Sequence, residues 1–446
     1  MSTALYTDRY ELTMLAAALA DGSAQRRCVF EVFARRLPEG RRYGVVAGTG
    51  RLLEAIAEFS FNEQILTFLQ AEGLLDDRCA QYLSSYRFNG DIDGYPEGEL
   101  YFPQSPILTI TGTFAEAVIL ETLVLSVLSH DSAVAAAAAR MVSAAQGRAV
   151  VEMGSRRTHE VAAVAAARAA YLAGFASTSN LAAGARYGVP TVGTASHAFT
   201  LLHGDEQAAF GAQVSAHGHG ATLLVDTYDI TTGINNAVAV AGARLGAVRI
   251  DSGDLGPIAR QVRSQLDALG NTDTRIVVSG DLDEFAIAAL GAHPVDVYGA
   301  GTAVVTGSGA PTAGLVYKLV SVDGAPVVKR SESKATVGGR KRAYRSHKPT
   351  GTALEELIVP EVGSMVSSAT ATSSNPARSE EAVLTDAGTR ELAQPLMRAG
   401  KTVEGLPSLA ESREHFRMAM VTLPWDGLKL SRGEPAIPTR VLPPRP

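Results

Sequence analysis

The sequence predicts an α/β protein built around a parallel sheet, and three observations carry that prediction. Short apolar runs ending in polar residues recur along the middle of the chain: Thr222–Asp226, Ala247–Asp251, Arg275–Ser279 and Val295–Gly299. They start roughly 20 to 30 residues apart, the length of one βα unit. The runs are Val, Ile and Leu without alternation, as in strands buried on both faces. The stretches between them, Val238–Leu245, Leu255–Leu269 and Glu284–Leu290, read as helices.

The elements before this core differ in texture. Tyr6–Ala20 reads as a helix, with Thr7 and Asp8 as candidate caps and Glu11 in the first turn. Cys28–Ala34 and Tyr43–Ala47 read as strands. Gly90–Thr113 carries turn signals at Tyr95-Pro-Glu-Gly98 and reads as short strands and hairpins. Ala115–Ser129, Ala133–Ala145 and Glu160–Gly174 are Ala-rich helices, whose small side chains permit close packing. Val189–Val192 reads as a strand entering the site. After Lys318 the pattern lapses: Gly324–Arg345 reads as exposed hairpins, Ser364–Ser379 as a mobile loop, and the Pro-rich tail as extended.

Length and composition limit the function classes. With 446 residues, 46% apolar and 19% charged, the chain suits a soluble enzyme of two domains or one elaborated barrel. A net charge of −6 argues against a nucleic-acid partner. Cys28 and Cys79 stand far apart with no metal-type spacing, as free thiols of a reducing cytoplasm do. The N-terminus has no secretory pattern, and Ala117–Leu128, the most apolar run, is interrupted by Glu121 and too short for a bilayer, so no membrane role is expected.

The strand ends carry the candidate chemistry: Asp226, Arg249-Ile-Asp251-Ser-Gly-Asp254, Ser279-Gly-Asp281 and Tyr298-Gly-Ala-Gly-Thr302. In a β/α barrel such ends line the active-site mouth. Glycines let backbone amides approach a phosphate, and carboxylates suit Mg²⁺ or ribose hydroxyls; Asp and Gly are also ordinary strand terminators and helix caps. Gly299–Thr302 is a candidate phosphate nest. The chain has neither GxxxxGK[ST] nor GxGxxG after a strand, which excludes P-loop and dinucleotide fingerprints. His197, among small residues on an open turn, suits a base or nucleophile, or a hydrogen-bonded loop histidine. Arg156-Arg157 suits a clamp for carboxylate or phosphate, or a solvated basic end. Phe175 can stack on a flat ring or belong to the core. His217 and His219 lack a third ligand for a metal.

Seven segments in order resemble the motifs of the nicotinate phosphoribosyltransferases: Thr7-Asp-Arg-Tyr-Glu-Leu-Thr-Met14, Glu152-Met-Gly-Ser-Arg-Arg157, Gly174-Phe-Ala-Ser-Thr-Ser-Asn180, Gly193-Thr-Ala-Ser-His197, Val225-Asp-Thr-Tyr-Asp229, Val248-Arg-Ile-Asp-Ser-Gly-Asp254 and Gly299-Ala-Gly-Thr302. Ser196 replaces the small apolar residue expected before the histidine, and Arg9 falls where the first motif is often uncharged. The resemblance implies an incomplete parallel β/α barrel over residues 114–320. A second α+β domain would be built from both chain ends, 1–113 and 321–446. The reaction implied joins nicotinate to phosphoribosyl pyrophosphate with ATP as co-substrate, a step of NAD salvage. His197 becomes the phosphohistidine, with Asp251 and Arg249 also catalytic. Tyr10, Arg156, Phe175, Thr194 and Arg249 frame nicotinate. Asp226, Asp251, Gly280, Asp281, Gly301 and Thr302 surround the phosphoribosyl group and Mg²⁺, with Asp226 or Asp251 nearest the metal. A homodimer is implied, each site completed by the neighbour's N-terminal domain. The same fold acting on nicotinamide or quinolinate, or a phosphosugar-binding barrel without turnover, are the alternatives. An amide would want an acceptor where an acid wants a cation.

Overall fold

The computed structural model describes residues 2–329, 337–361 and 388–443. The loop expected at 364–379 and the last residues of the tail lie outside them. The chain forms two compact units, Met1–Ala133 with Thr312–Pro446, and Val134–Pro311.

The second unit is the parallel sheet expected from the apolar runs. Its strands are β1 (Ala149–Glu152), β2 (Ser177–Thr178), β3 (Thr222–Leu224), β4 (Ala247–Ile250), β5 (Arg275–Gly280) and β6 (Val297–Ala300). They lie in the order β2-β1-β6-β5-β4-β3, every neighbouring pair parallel. The outer strands β2 and β3 do not pair among the described residues, so the barrel is incomplete. Val248, Ile250, Ile276 and Val278 are fully buried, as the unalternated runs require. Alanines at 163, 165–167, 169 and 170 are all buried in the helix Glu160–Leu172, where small side chains let a helix pack closely. The sheet order brings the C-terminal ends of β1, β6, β5 and β4 side by side, which gathers residues distant in sequence at one rim.

Two expectations shift here. Val189–Val192 forms only an isolated bridge, Thr178 with Thr191. The helix expected at Val238–Leu245 runs earlier, Ile230–Ala241, because the Asp229 side chain accepts from Thr232 N and caps it there.

The first unit carries a seven-stranded antiparallel sheet to which both chain ends contribute. Arg27–Ala34 lies between Leu315–Val322 and Leu108–Thr113, with Cys28 opposite Val322 and Gly112. The unit boundaries differ from the expected 113 and 320. Leu120, Leu123, Val124, Val127 and Leu128 are packed into the first unit's core, and the strand Leu315–Val322 is hydrogen-bonded into its sheet. Phe114–Ala145 is long and apolar enough to cross a membrane, yet 67% of its most apolar window is buried in the protein, as for a core helix.

The segment expected to be exposed hairpins, 324–345, ends in a buried charged residue. Arg345 is fully buried. It donates to Glu99 Oε1 at 2.5 Å, to Glu356 Oε2 at 2.7 Å and to the Leu100 carbonyl at 2.7 Å. Arg390 and His415 reach Glu99 Oε2 at 2.6 and 3.0 Å, while Tyr95 and Ser105 donate to Glu356 Oε1. The strand Lys341–His347 is rich in charge, but Lys341 pairs with Glu31 and Arg345 with Glu99 and Glu356, partners that local pattern does not reveal.

Candidate active site

The rim of the parallel sheet opens onto a cavity of about 270 Å³. β1 ends in Glu152, whose buried carboxylate accepts from Thr178 Oγ1 at 2.5 Å and from Gly154 N. Burial pushes the Glu152 carboxyl up, and those two bonds oppose it. The turn they hold, Met153–Arg157, forms one wall. Gly154 is required there: a Cβ would lie 2.3 Å from Val305 Cγ1 and 2.9 Å from the Gly301 carbonyl. Arg156 and Arg157 are exposed, and their side chains have no partner among the described residues.

Arg249 of β4 is held at three points. Its Nε donates to Ser279 Oγ at 2.7 Å, its Nη2 to Asp251 Oδ1 at 2.8 Å and its Nη1 to Thr194 Oγ1 at 2.9 Å. Ser279 in turn donates to Asp251 Oδ1. Burial would raise the Asp251 carboxyl, but the Ser279 hydrogen bond and Arg249 outweigh it and hold it below the usual carboxylate range. Asp226, its side chain 1% exposed, accepts through Oδ2 from Asp251 N at 2.9 Å and Ser252 Oγ at 2.6 Å. Its Oδ1 has no hydrogen-bond partner among the described residues and lies 3.8 Å from His197 Nε2. His197 Nδ1 lies 3.1 Å from Thr227 Oγ1. The acids at the strand ends therefore divide. Asp229 and Asp283 are helix caps, whereas Asp226 and Asp251 cap nothing and face Arg249 and His197.

Of the residues singled out in the sequence, Arg156, Arg249, Asp251, Gly280, Asp281, Gly301 and Thr302 line the cavity together. Thr194, Asp226 and His197 join it through the contacts just described. The chemistry is an anion site: arginines beside oxygen donors and strand-end glycines.

The flanks and centre of the chain match three family models. Residues 5–129 match the nicotinate phosphoribosyltransferase (NAPRTase) N-terminal domain and 340–435 its C-terminal domain. The nicotinate phosphoribosyltransferase pncB1 of Mycobacterium tuberculosis is 61% identical over 98% of this chain and 95% of that protein. The chain belongs to the nicotinate phosphoribosyltransferase family. The human nicotinate phosphoribosyltransferase is 30% identical over 94% of this chain and 91% of that protein. A crystal structure of human nicotinic acid phosphoribosyltransferase superposes with a TM-score of 0.81, at 27% identity, covering 98% of this chain and 97% of that one. Residues 134–308 match the quinolinate phosphoribosyl transferase C-terminal domain. That match covers the parallel-sheet unit alone, and the flanking models separate the two families.

Within this nicotinate phosphoribosyltransferase family member, one expected ring contact is corrected. Phe175 is fully buried and does not line the cavity. Gly174, at φ +107°, turns the chain after the helix, and Phe175 N bonds back to the Ala170 carbonyl, which seats the ring in the core. Met153 is the apolar side chain on the cavity wall, lying where a Cβ on Gly299 would meet its Sδ at 2.8 Å. It sits inside the Glu152–Arg157 motif with Arg157, which also lines the cavity. Tyr10 belongs to the first unit, where its ring is 47% exposed and burial with nearby Glu121 pushes its hydroxyl up.

Proposed function

We propose that this protein joins nicotinate to phosphoribosyl pyrophosphate, releasing pyrophosphate, with ATP hydrolysis coupled through a phosphorylated His197, as a step of NAD salvage. The observation that carries the reading is the pair of partnerless arginines, Arg156 and Arg157, on a cavity that also holds Arg249. A planar carboxylate takes two parallel N–H bonds from a guanidinium, whereas an amide would want an acceptor. The pyridine ring packs on the Met153 thioether, which contacts aromatic faces favourably. Backbone amides near Gly280, Gly301 and Thr302 serve the phosphate groups.

The donor set fits Mg²⁺. The cation takes oxygen ligands and usually one or two carboxylates plus substrate phosphates. Asp226 Oδ1 is buried and partnerless, and Asp251 and Asp281 add oxygens, while no cluster of three or more protein ligands occurs among the described residues. When bound, the ion neutralises charge on the departing pyrophosphate. Arg249 and the arginine pair orient the two substrates, so that little covalent work falls to the protein.

A hydrogen on His197 Nδ1 donated to Thr227 Oγ1 leaves the Nε2 lone pair, 3.8 Å from Asp226 Oδ1, as the nucleophile toward ATP. The protein acts in the cytoplasm as a homodimer, the exposed Tyr10 ring completing the neighbour's site.

Incubation with phosphoribosyl pyrophosphate, Mg²⁺, ATP and, separately, nicotinate, nicotinamide or quinolinate tests the reading: nicotinate mononucleotide should form, with little product from the other two. Nucleotide from nicotinamide at a comparable rate overturns the substrate assignment. His197→Asn should lose acid-labile label from [γ-³²P]ATP and all ATP stimulation, while keeping a slow ATP-independent reaction. Label that persists in this variant places the phosphate elsewhere.

A further inference from the structure

The three arginines of the cavity are not equivalent. Among the described residues Arg156 and Arg157 lack side-chain partners, but three N–H groups of Arg249 are committed: Nε to Ser279, Nη2 to Asp251 and Nη1 to Thr194. Two remain, one on each terminal nitrogen, the number that a forked pair with a carboxylate or phosphate uses.

Ser279 closes a ring within this network. A hydroxyl has one hydrogen. Having accepted from Arg249 Nε, Ser279 gives that hydrogen to Asp251 Oδ1, the same oxygen that Arg249 Nη2 reaches. An arginine and an aspartate alone can pair end-on or side-on. A third vertex bridging Nε and Oδ1 leaves only the side-on arrangement. It also occupies Oδ1 twice, and leaves Oδ2 of the cavity-lining Asp251 without a hydrogen-bond partner among the described residues. The sheet supplies the alignment. Arg249 pairs in register with Val277, and Ser279 lies two residues further along β5, on the same face. Ser279 is 2% exposed and lies opposite Gly299 of β6, so its hydroxyl is held inside the rim with Arg249 and Asp251 as its partners.

We propose that Ser279 is a positioning residue of this site: its hydroxyl, anchored on Asp251, fixes the plane of Arg249. The proposal rests on the reading of Arg249 as a substrate contact. The test is a double-mutant cycle of Ser279→Ala, Arg249→Ala and the pair, with KM for nicotinate and for phosphoribosyl pyrophosphate and kcat measured separately. Ser279→Ala should raise KM about tenfold for the substrate whose anion Arg249 holds, the size of one lost charge-assisted bond, and change kcat by less than about threefold. In the Arg249→Ala background, removing the hydroxyl should change nothing more, because there is no guanidinium left to place. Ser279→Thr, which keeps the hydroxyl, should restore most of the loss, and the thermal midpoint of Ser279→Ala should stay within about 2 °C of the parent. Multiplicative losses in the double variant, or a near-normal Ser279→Ala beside an impaired Arg249→Ala, overturn the proposal alone. A near-normal Arg249→Ala overturns the substrate reading and the proposal with it.

Discussion

Each unit of this protein contains an arginine–carboxylate network, and the two are built to opposite ends. Around Arg345 every carboxylate oxygen is taken: Glu99 and Glu356 accept from arginines, His415, Tyr95, Ser105 and a backbone amide, with both glutamate side chains out of water. Around Arg249 the network is left open. Asp226 Oδ1 and Asp251 Oδ2 have no hydrogen-bond partner among the described residues, and two arginines stand beside them unpaired. Carboxylates so satisfied hold structure, because a ligand would have to break a bond to reach them, although Arg345 Nε itself has no hydrogen-bond partner among the described residues. An open network leaves groups for a ligand to engage, and one of them, Asp226 Oδ1, is buried, which is costly unless something binds. The difference separates structural from functional charge more sharply than residue type does.

The contrast breaks most readily at Arg345. Arg345→Met should cost about 3–5 kcal/mol of stability, because it strands two buried glutamates. A chemical denaturation midpoint falls sharply in that case; a change under about 1 kcal/mol would mean that the network is not a structural tie. Arg157→Ala, by contrast, removes a side chain without a protein partner. Its stability should move by less than about 0.5 kcal/mol, as for a surface position, while kcat/KM falls about tenfold. A destabilised Arg157→Ala with normal kinetics would erase the distinction between the two networks.

The smallest effect sharpens the comparison through pH. Burial would raise Glu99, but Arg345, His415 and Arg390 outweigh it and hold the carboxyl well below its usual range. A carboxyl lowered in the folded state contributes stability that is present above its unfolded value and lost only as pH falls through the folded value. The stability difference between the parent and Glu99→Gln should therefore stay level from pH 8 to about 5 and shrink only in stronger acid. A difference that fades between pH 7 and 5 would contradict the shift.

Much of the second unit was legible in the sequence, because buried parallel strands announce themselves as continuous apolar runs and their ends fall at fixed places. Asp226, Arg249 and Asp251 were found in that way. Ser279 was read as a strand end but not as a partner of Arg249, since register between β4 and β5 is not a local property. Phe175 was misplaced because an aromatic near a glycine turn looks the same whether the turn faces the cavity or the core; the φ of Gly174 decides it. The first unit was legible only in pieces. Helices Thr49–Ala57, Glu63–Ala71, Asp77–Ser84 and Leu409–Thr422 escaped, and the Glu99–Arg345 pairing spans 246 residues, a distance that no local pattern bridges.

The sheet that joins the two chain ends also sets a timetable. Cys28 leaves the ribosome long before its partner Val322. At about 5–20 residues per second, the intervening synthesis of roughly 290 residues takes some 15–60 s. Throughout that interval one edge of the strand Arg27–Ala34 has no neighbour, and the parallel unit, contiguous from Val134 to Pro311, is made within it. The nascent chain thus completes its parallel unit before the antiparallel sheet and carries an unsealed edge for up to a minute. A release of synthesis between residues 311 and 322 would strand a complete cavity on a chain whose other half cannot close.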